Sequence, residues 1–222
     1  MTTNSERASG HVGEASVGRP GKRERLVVAA RELVYRQGVA RTTLAGIAQA
    51  AEVPVGNVYY YFKTKDDIIG GVVHTYEDQL QSTLAELERL HRSPRARLKA
   101  FVGVLAERAA DSIAKYGAQY GCPYGTLSAE LAKQTEGPDA LTATLITIPL
   151  DWAEQQFRAL GRRDAHDLAV ELIAAYQGSA LLTSALAQPE IMTRQARRLE
   201  KWIDALATST GRSGGRSRKG QS

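Results

Sequence analysis

An all-α fold is predicted for this chain of 222 residues by three observations. Apolar side chains recur at i, i+3, i+4 and i+7 through nearly all of the chain between residues 22 and 208. Prolines 54, 94, 123, 138 and 189 stand where such stretches begin, and Gly38 stands where one ends. Residues 43–65 read as two short helices joined by a tight turn and closed by aromatic residues and lysines.

The elements follow in order. Lys22 to Gln37 places Leu26, Ala29, Ala30, Leu33 and Val34 on one face, with Gly38 as the C-cap. Thr42 and Thr43 are N-cap candidates for a helix carrying Leu44, Ile47, Ala48 and Ala51, whose small residues admit a second helix. Pro54 suits the first position of that second helix, where its missing N–H costs nothing. Val58 and Phe62, four apart, turn back onto the first helix, which leaves Val55, Gly56, Asn57, Tyr59 and Tyr60 facing outward. A long helix follows from Lys65 to about Leu90, with Asp66 and Asp67 in its first turn. Further helices open at Pro94, Pro123 and Pro138, and Pro149 is expected to kink or divide the last of these. The final pair runs from about Asp164 to Ala187 and from Pro189 to Thr208. Residues 1–18 and 211–222 are polar, Gly/Ser-rich and without periodicity, so they read as disordered tails.

The outward residues of the second short helix fit a DNA major groove. Asn57 can pair with the N6/N7 edge of adenine, Val55 can touch a thymine methyl, and the small Gly56 permits close approach. Hydroxyls of Thr43, Tyr59, Tyr60 and Tyr61 and the cations Lys63 and Lys65 are candidates for phosphate oxygens. Phe62 reads as core, and Tyr61 is as consistent with core as with DNA. Arg23 and its neighbours Arg19 and Lys22 form a basic arm able to follow the backbone or enter a minor groove.

Charge segregates accordingly. The chain carries a formal +5. Residues 19–65 hold nine basic side chains against three acidic ones, whereas residues 66–209 hold 15 against 19. A basic N-terminal unit on a mildly acidic body is the footprint of nucleic-acid binding.

The segment from Ile47 through Ala48, Ala51, Glu52, Val53, Pro54, Gly56, Asn57, Tyr59, Tyr61 and Phe62 to Lys65 resembles the DNA-binding domain of the TetR/AcrR family of transcriptional regulators. The likeness extends upstream over residues 23–43. It implies a helix-turn-helix domain, expected at residues 19–70, and a helical effector-binding and dimerisation domain at 71–210. It further implies a homodimer on a palindromic operator, most often as a repressor released by a small molecule. Glu52 stands where the family's turn has glycine, so a left-handed conformation there would cost roughly 1 kcal/mol. Val55 and Asn57 also depart from the usual residues, so no base preference carries over.

For the effector, Phe101, Leu105, Tyr124, Trp152 and Tyr176 are candidate pocket walls, because a pocket needs flat apolar surfaces with a few polar donors. The last two helices are the implied dimer interface, with Leu172, Leu182, Leu199 and Trp202 as candidates. Residues 121–131, GCPYGTLSAEL, resemble a stretch of the LmrA/YxaF-like branch of the same family. Cys122 there precedes a helix, so a redox- or electrophile-sensing regulator is one alternative, and an architectural DNA-binding protein without an effector is another.

An enzyme is not expected. The four histidines are scattered, and neither a glycine-rich phosphate loop nor a nucleophile elbow is present. No metal or cofactor is expected either. One cysteine excludes an intramolecular disulfide and fits a reducing compartment. With no uninterrupted apolar run of membrane length and no signal-like N-terminus, a cytoplasmic protein without membrane partners is the expectation.

Overall fold

The computed structural model describes residues 20–117, 120–133 and 140–209. Among these it is all-α: α1 (Lys22–Gln37), α2 (Leu44–Ala50), α3 (Val55–Tyr61), α4 (Lys65–Leu90), α5 (Pro94–Tyr116), α6 (Pro123–Leu131), α7 (Ala140–Ala159), α8 (Ala165–Leu186) and α9 (Glu190–Ser209). The tail at 1–18, Arg19 of the basic arm, the helix start at Pro138 and the tail at 211–222 lie outside the described residues, while Lys22 and Arg23 of that arm open α1.

The helix ends follow local chemistry. Gly38, at φ 83°, ends α1 by returning its N–H to the Val34 carbonyl. Thr43 caps α2 by accepting the Gly46 N–H at 3.1 Å, while Thr42 is buried and donates its hydroxyl to the Gly38 carbonyl. A capping box starts α4: Thr64 accepts the Asp67 N–H, and the Asp67 carboxylate accepts the N–H groups of Thr64 and Lys63. Those N–H bonds hold the Asp67 carboxyl below the usual carboxylate range. Ser93 caps α5, and Pro94 occupies its first turn.

Two expectations are corrected. Pro54 is the N-cap of α3, with Val55 first in the helix. Of the two outcomes expected at Pro149, division is excluded: α7 continues through it, and Pro149 is buried along with Leu145, Trp152, Ala153 and Phe157. That packing outweighs the lost hydrogen bond and ring clash, which cost about 3 kcal/mol in an isolated helix.

On α4 pack α1, which carries α2 and through it α3, and α5 and α7, against which α6, α8 and α9 are gathered. The continuous α4 therefore runs through one core shared by both groups of helices. Ile68, Ile69, Val72 and Val73 are buried near its start, and Tyr76, Leu80, Leu84 and Leu87 further along. At Gly71 a Cβ would approach Val27 Cγ2 to 3.3 Å and Phe62 Cε1 to 3.6 Å, so the absent side chain sets how closely α1 and α4 meet. Among α5, α7 and α9 Phe101 meets Trp152 as a tilted ring pair with centroids 5.3 Å apart, and Phe157 meets Trp202 edge-on at 5.6 Å. Asp204 of α9 accepts from Arg95 at 2.8 Å and Lys99 at 3.0 Å of α5.

The α8 helix is long and apolar enough to span a membrane by length and composition. Here it lies in the bundle, packed by α7 and α9. From Ala174 to Leu186 every exposed residue of α8 is Ala, Gly or Leu: Ala174, Gly178, Leu181, Leu182, Ala185 and Leu186.

Candidate nucleic-acid interface

The reading unit is built on four buried residues, Ile47, Ala48, Val58 and Phe62, which lock α3 across α2. Between the helices Ala51 and Val53 return their N–H groups to Ile47 and Ala48. Glu52 makes the turn at φ 53°, the left-handed conformation foreseen from its replacing a glycine. Arg25 of α1 braces this turn by donating to the Ala51 carbonyl at 3.1 Å. No periodicity pointed to Arg25, since a long cation on an amphipathic helix reads as solvated surface.

With Val58 and Phe62 turned inward, Val55, Gly56, Tyr59 and Tyr60 face solvent. Val55 is 45% exposed, Tyr59 51% and Tyr60 78%. Gly56 is exposed with open space where a Cβ would sit, and Asn57 is half-buried on the same helix. Tyr61 is half-buried, packs on the core and meets Tyr60 edge-on at 4.9 Å. It is a supporting ring as much as a contact.

The flanking cations divide. Lys63 is exposed, its ammonium on the Tyr59 carbonyl at 2.7 Å, and stands at the end of α3 where a phosphate could replace that contact. Arg23 is exposed with its guanidinium 5.3 Å from the Phe62 ring centroid, stacked beside the reading helix. Lys65 is different. It is half-buried and donates to the Val39 carbonyl at 3.0 Å, fastening α4 to the loop before α2. The expected phosphate contact of Lys65 therefore competes with a structural one.

The other face of Val39 is also held. Its N–H donates to Glu130 Oε2 of α6 at 2.6 Å, the contact that joins the loop after α1 to the helices beyond α4. Sequence reasoning missed Glu130, because a partner 91 residues away leaves no local pattern.

The effector candidates are placed in the core. Phe101, Leu105, Trp152, Tyr176 and Tyr124 are all buried, and only Tyr124 of the five borders one of the clefts described below. Phe101 and Trp152 fill each other's space as a ring pair, and burial holds the Tyr176 phenol far above its ordinary pKa. Of the dimer candidates, Leu172 and Leu199 are buried within the chain and Trp202 is half-buried against Phe157. Leu182 alone of that set lies on the exposed apolar face of α8. Cys122 is buried at the start of α6, with the Gln177 amide donating to its sulfur at 3.7 Å.

A two-helix unit with its second helix bared, set on an all-helical body, defines a helix-turn-helix DNA-binding regulator. A model of the family described as bacterial regulatory proteins, tetR family, matches residues 26–72. The chain belongs to the TetR family and is a transcriptional regulator. It is 27% identical over 170 residues to the HTH-type transcriptional repressor DhaR of Mycobacterium sp. strain GP1, covering 72% of this chain and 80% of that one. It is 26% identical over 188 residues to the HTH-type transcriptional regulator TtgR of Pseudomonas putida, covering 82% and 88%. A TetR regulator from Legionella pneumophila has the same fold, with a TM-score of 0.74, 15% identity and coverage of 84% of this chain and 100% of that one.

Substitutions on α3 separate positioning from reading. Tyr59→Phe should weaken binding to all duplexes alike, because phosphate contacts carry no sequence information. Asn57→Ala should instead erode preference at one base position, by about 1 to 3 kcal/mol. Affinities for a panel of single-base operator variants check this; an unchanged ranking with Asn57→Ala would remove Asn57 from the readers.

Proposed function

We propose that the protein is a dimeric repressor that binds a palindromic operator through α3 and leaves it when a small molecule occupies the helical body. The observation that carries the reading is the bared face of α3, where Val55, Tyr59 and Tyr60 remain exposed although the helix is otherwise locked into the core. Repression is supported by the Mycobacterium relative, whose name states that role. Dimerisation is supported by the Ala, Gly and Leu face of α8, since a contiguous exposed apolar surface of this kind is usually covered by a partner. The exposed side of α9, with Arg194, Arg197, Arg198 and Lys201, is cationic and less suited to that contact.

A cleft of about 630 Å³ between α6, α7 and α8 offers room for an effector, with Cys122, Ile146, Gln177, Ala180 and Leu181 among its walls. Glu130 also lines it. A ligand that draws Glu130 or α6 aside would loosen the Val39 N–H, and with it the hold of α6 on the DNA-binding helices. Binding there and binding to DNA are then reciprocal, each weakening the other by one factor. The buried Cys122 needs no sensing role in this scheme.

Binding-site selection from a random DNA pool tests the central reading. Two-fold related half-sites should emerge with centres a helical turn or a multiple apart. Recovery of asymmetric sites only, or of none, would exclude it. Glu130→Ala tests the coupling. It leaves the Val39 N–H without its partner, so denaturant unfolding should show a loss of about 1 to 3 kcal/mol. Operator affinity should fall by roughly tenfold, about 1.4 kcal/mol. Lower stability with unchanged operator affinity would reduce Glu130 to a packing contact.

A further inference from the structure

A second cleft, of about 370 Å³, opens on another side of the molecule, where α1, α4, α5 and α6 meet. Its walls are aromatic and its charge is unbalanced. Tyr35 and Tyr116 stand edge-to-face at 5.4 Å, and Tyr76 and Tyr124 do so at 5.1 Å. Three cations line it, Arg31 from α1 and Arg108 and Lys115 from α5, against one carboxylate, Glu32. The Arg108 guanidinium is half-buried, and its hydrogen bonds go to neutral hydroxyls, Tyr124 at 3.1 Å and Thr83. Among the described residues neither arginine nor Lys115 forms an ion pair with a carboxylate. Both guanidinium groups are close enough to Tyr124 to oppose the rise that burial imposes on its phenol.

A partly desolvated guanidinium held only by hydroxyls is an incomplete arrangement, because its planar fork is best satisfied by a carboxylate or phosphate. Rings beside it would receive the flat apolar remainder of such a ligand. We propose that this cleft binds a small aromatic carboxylate, its anionic end on Arg108 with Arg31 and Lys115, its ring between the tyrosine pairs. The site is separate from the cleft beside Glu130. It joins α1 to α5, so occupancy fixes the placement of the DNA-binding helices on the body; that consequence rests on the regulatory reading, and binding itself does not.

Benzoate titrated into the DNA-free full-length protein by calorimetry, at constant ionic strength and with benzamide as its neutral counterpart, tests the site. Benzoate should bind at least tenfold more tightly than benzamide. Arg108→Gln should weaken benzoate at least tenfold and leave benzamide unaffected. Arg31→Gln combined with Lys115→Gln, the latter at an exposed position, should do the same with the helical circular dichroism spectrum unchanged. Equal affinity for the two probes, or undiminished benzoate binding by the folded Arg31→Gln, Lys115→Gln protein, would overturn the assignment. Repeating the titration on the operator complex separates the two readings: benzoate binding to free protein with an affinity unaffected by DNA supports the site and removes its regulatory consequence alone.

Discussion

The double variant Gly178→Glu, Leu182→Glu should be a folded monomer that has lost roughly a thousandfold in operator affinity, the usual scale separating specific from non-specific binding. Both positions are exposed on α8, and a Cβ at Gly178 would meet nothing within 4 Å in the protomer. Within one chain the change is therefore mild: replacing a mid-helix glycine gains up to about 0.8 kcal/mol of helix propensity, partly offset by two like charges four residues apart. Across a two-fold contact the situation reverses, because each glutamate approaches the same surface of its mate and carboxylates must be desolvated against Ala and Leu. Separating the protomers unlinks the two reading helices, and each half-site is then bound at bulk rather than effective concentration. Sedimentation and operator titration check the two parts. A dimer that persists would show that another face joins the protomers.

Operator affinity of the wild type should fall by about 10³ to 10⁵ between 50 and 200 mM salt, as expected where six to ten phosphates are neutralised. The cations available per protomer include Lys22, Arg23 and Lys63, all exposed near α3, and a dimer doubles them. Arg25 and Lys65 should contribute little to the slope, since each already serves a backbone carbonyl. Lys63→Ala should accordingly flatten the log–log salt plot by about one or two charges per dimer, and Arg25→Ala should leave it nearly unchanged. A plot with no slope would exclude a phosphate-dominated complex.

The reading unit was legible because its signals are local. Caps, a proline at a helix start and four-residue spacing decide which sides of α2 and α3 are buried, and they placed Val58 and Phe62 inside and Tyr59 and Tyr60 outside. Even the strained turn at Glu52 followed from its standing where glycine is usual. The body was harder to read. In α8 apolar residues surround the helix, so nothing in the sequence separates buried Leu172 from exposed Leu182. The large aromatics Phe101 and Trp152 satisfied one another and formed core, whereas the clefts arose where helices distant in sequence fail to close on each other. The Glu130 contact was invisible for the same reason, being made by a backbone group whose position only the fold determines.

The backbone of Val39 is gripped on both sides, by Glu130 at its N–H and by Lys65 at its carbonyl. Since the grip is on main chain, both bonds depend on residue 39 through its backbone, and proline would delete the donor, while the fully buried Val39 side chain keeps the position apolar and close to valine in size. The polar strength of this joint is therefore set from outside, by two side chains on different helices. Relatives could retune how firmly the two halves are joined by changing position 130 or 65 without disturbing the loop itself. An engineer seeking a graded series of responses would leave the reading helix alone and vary those two residues.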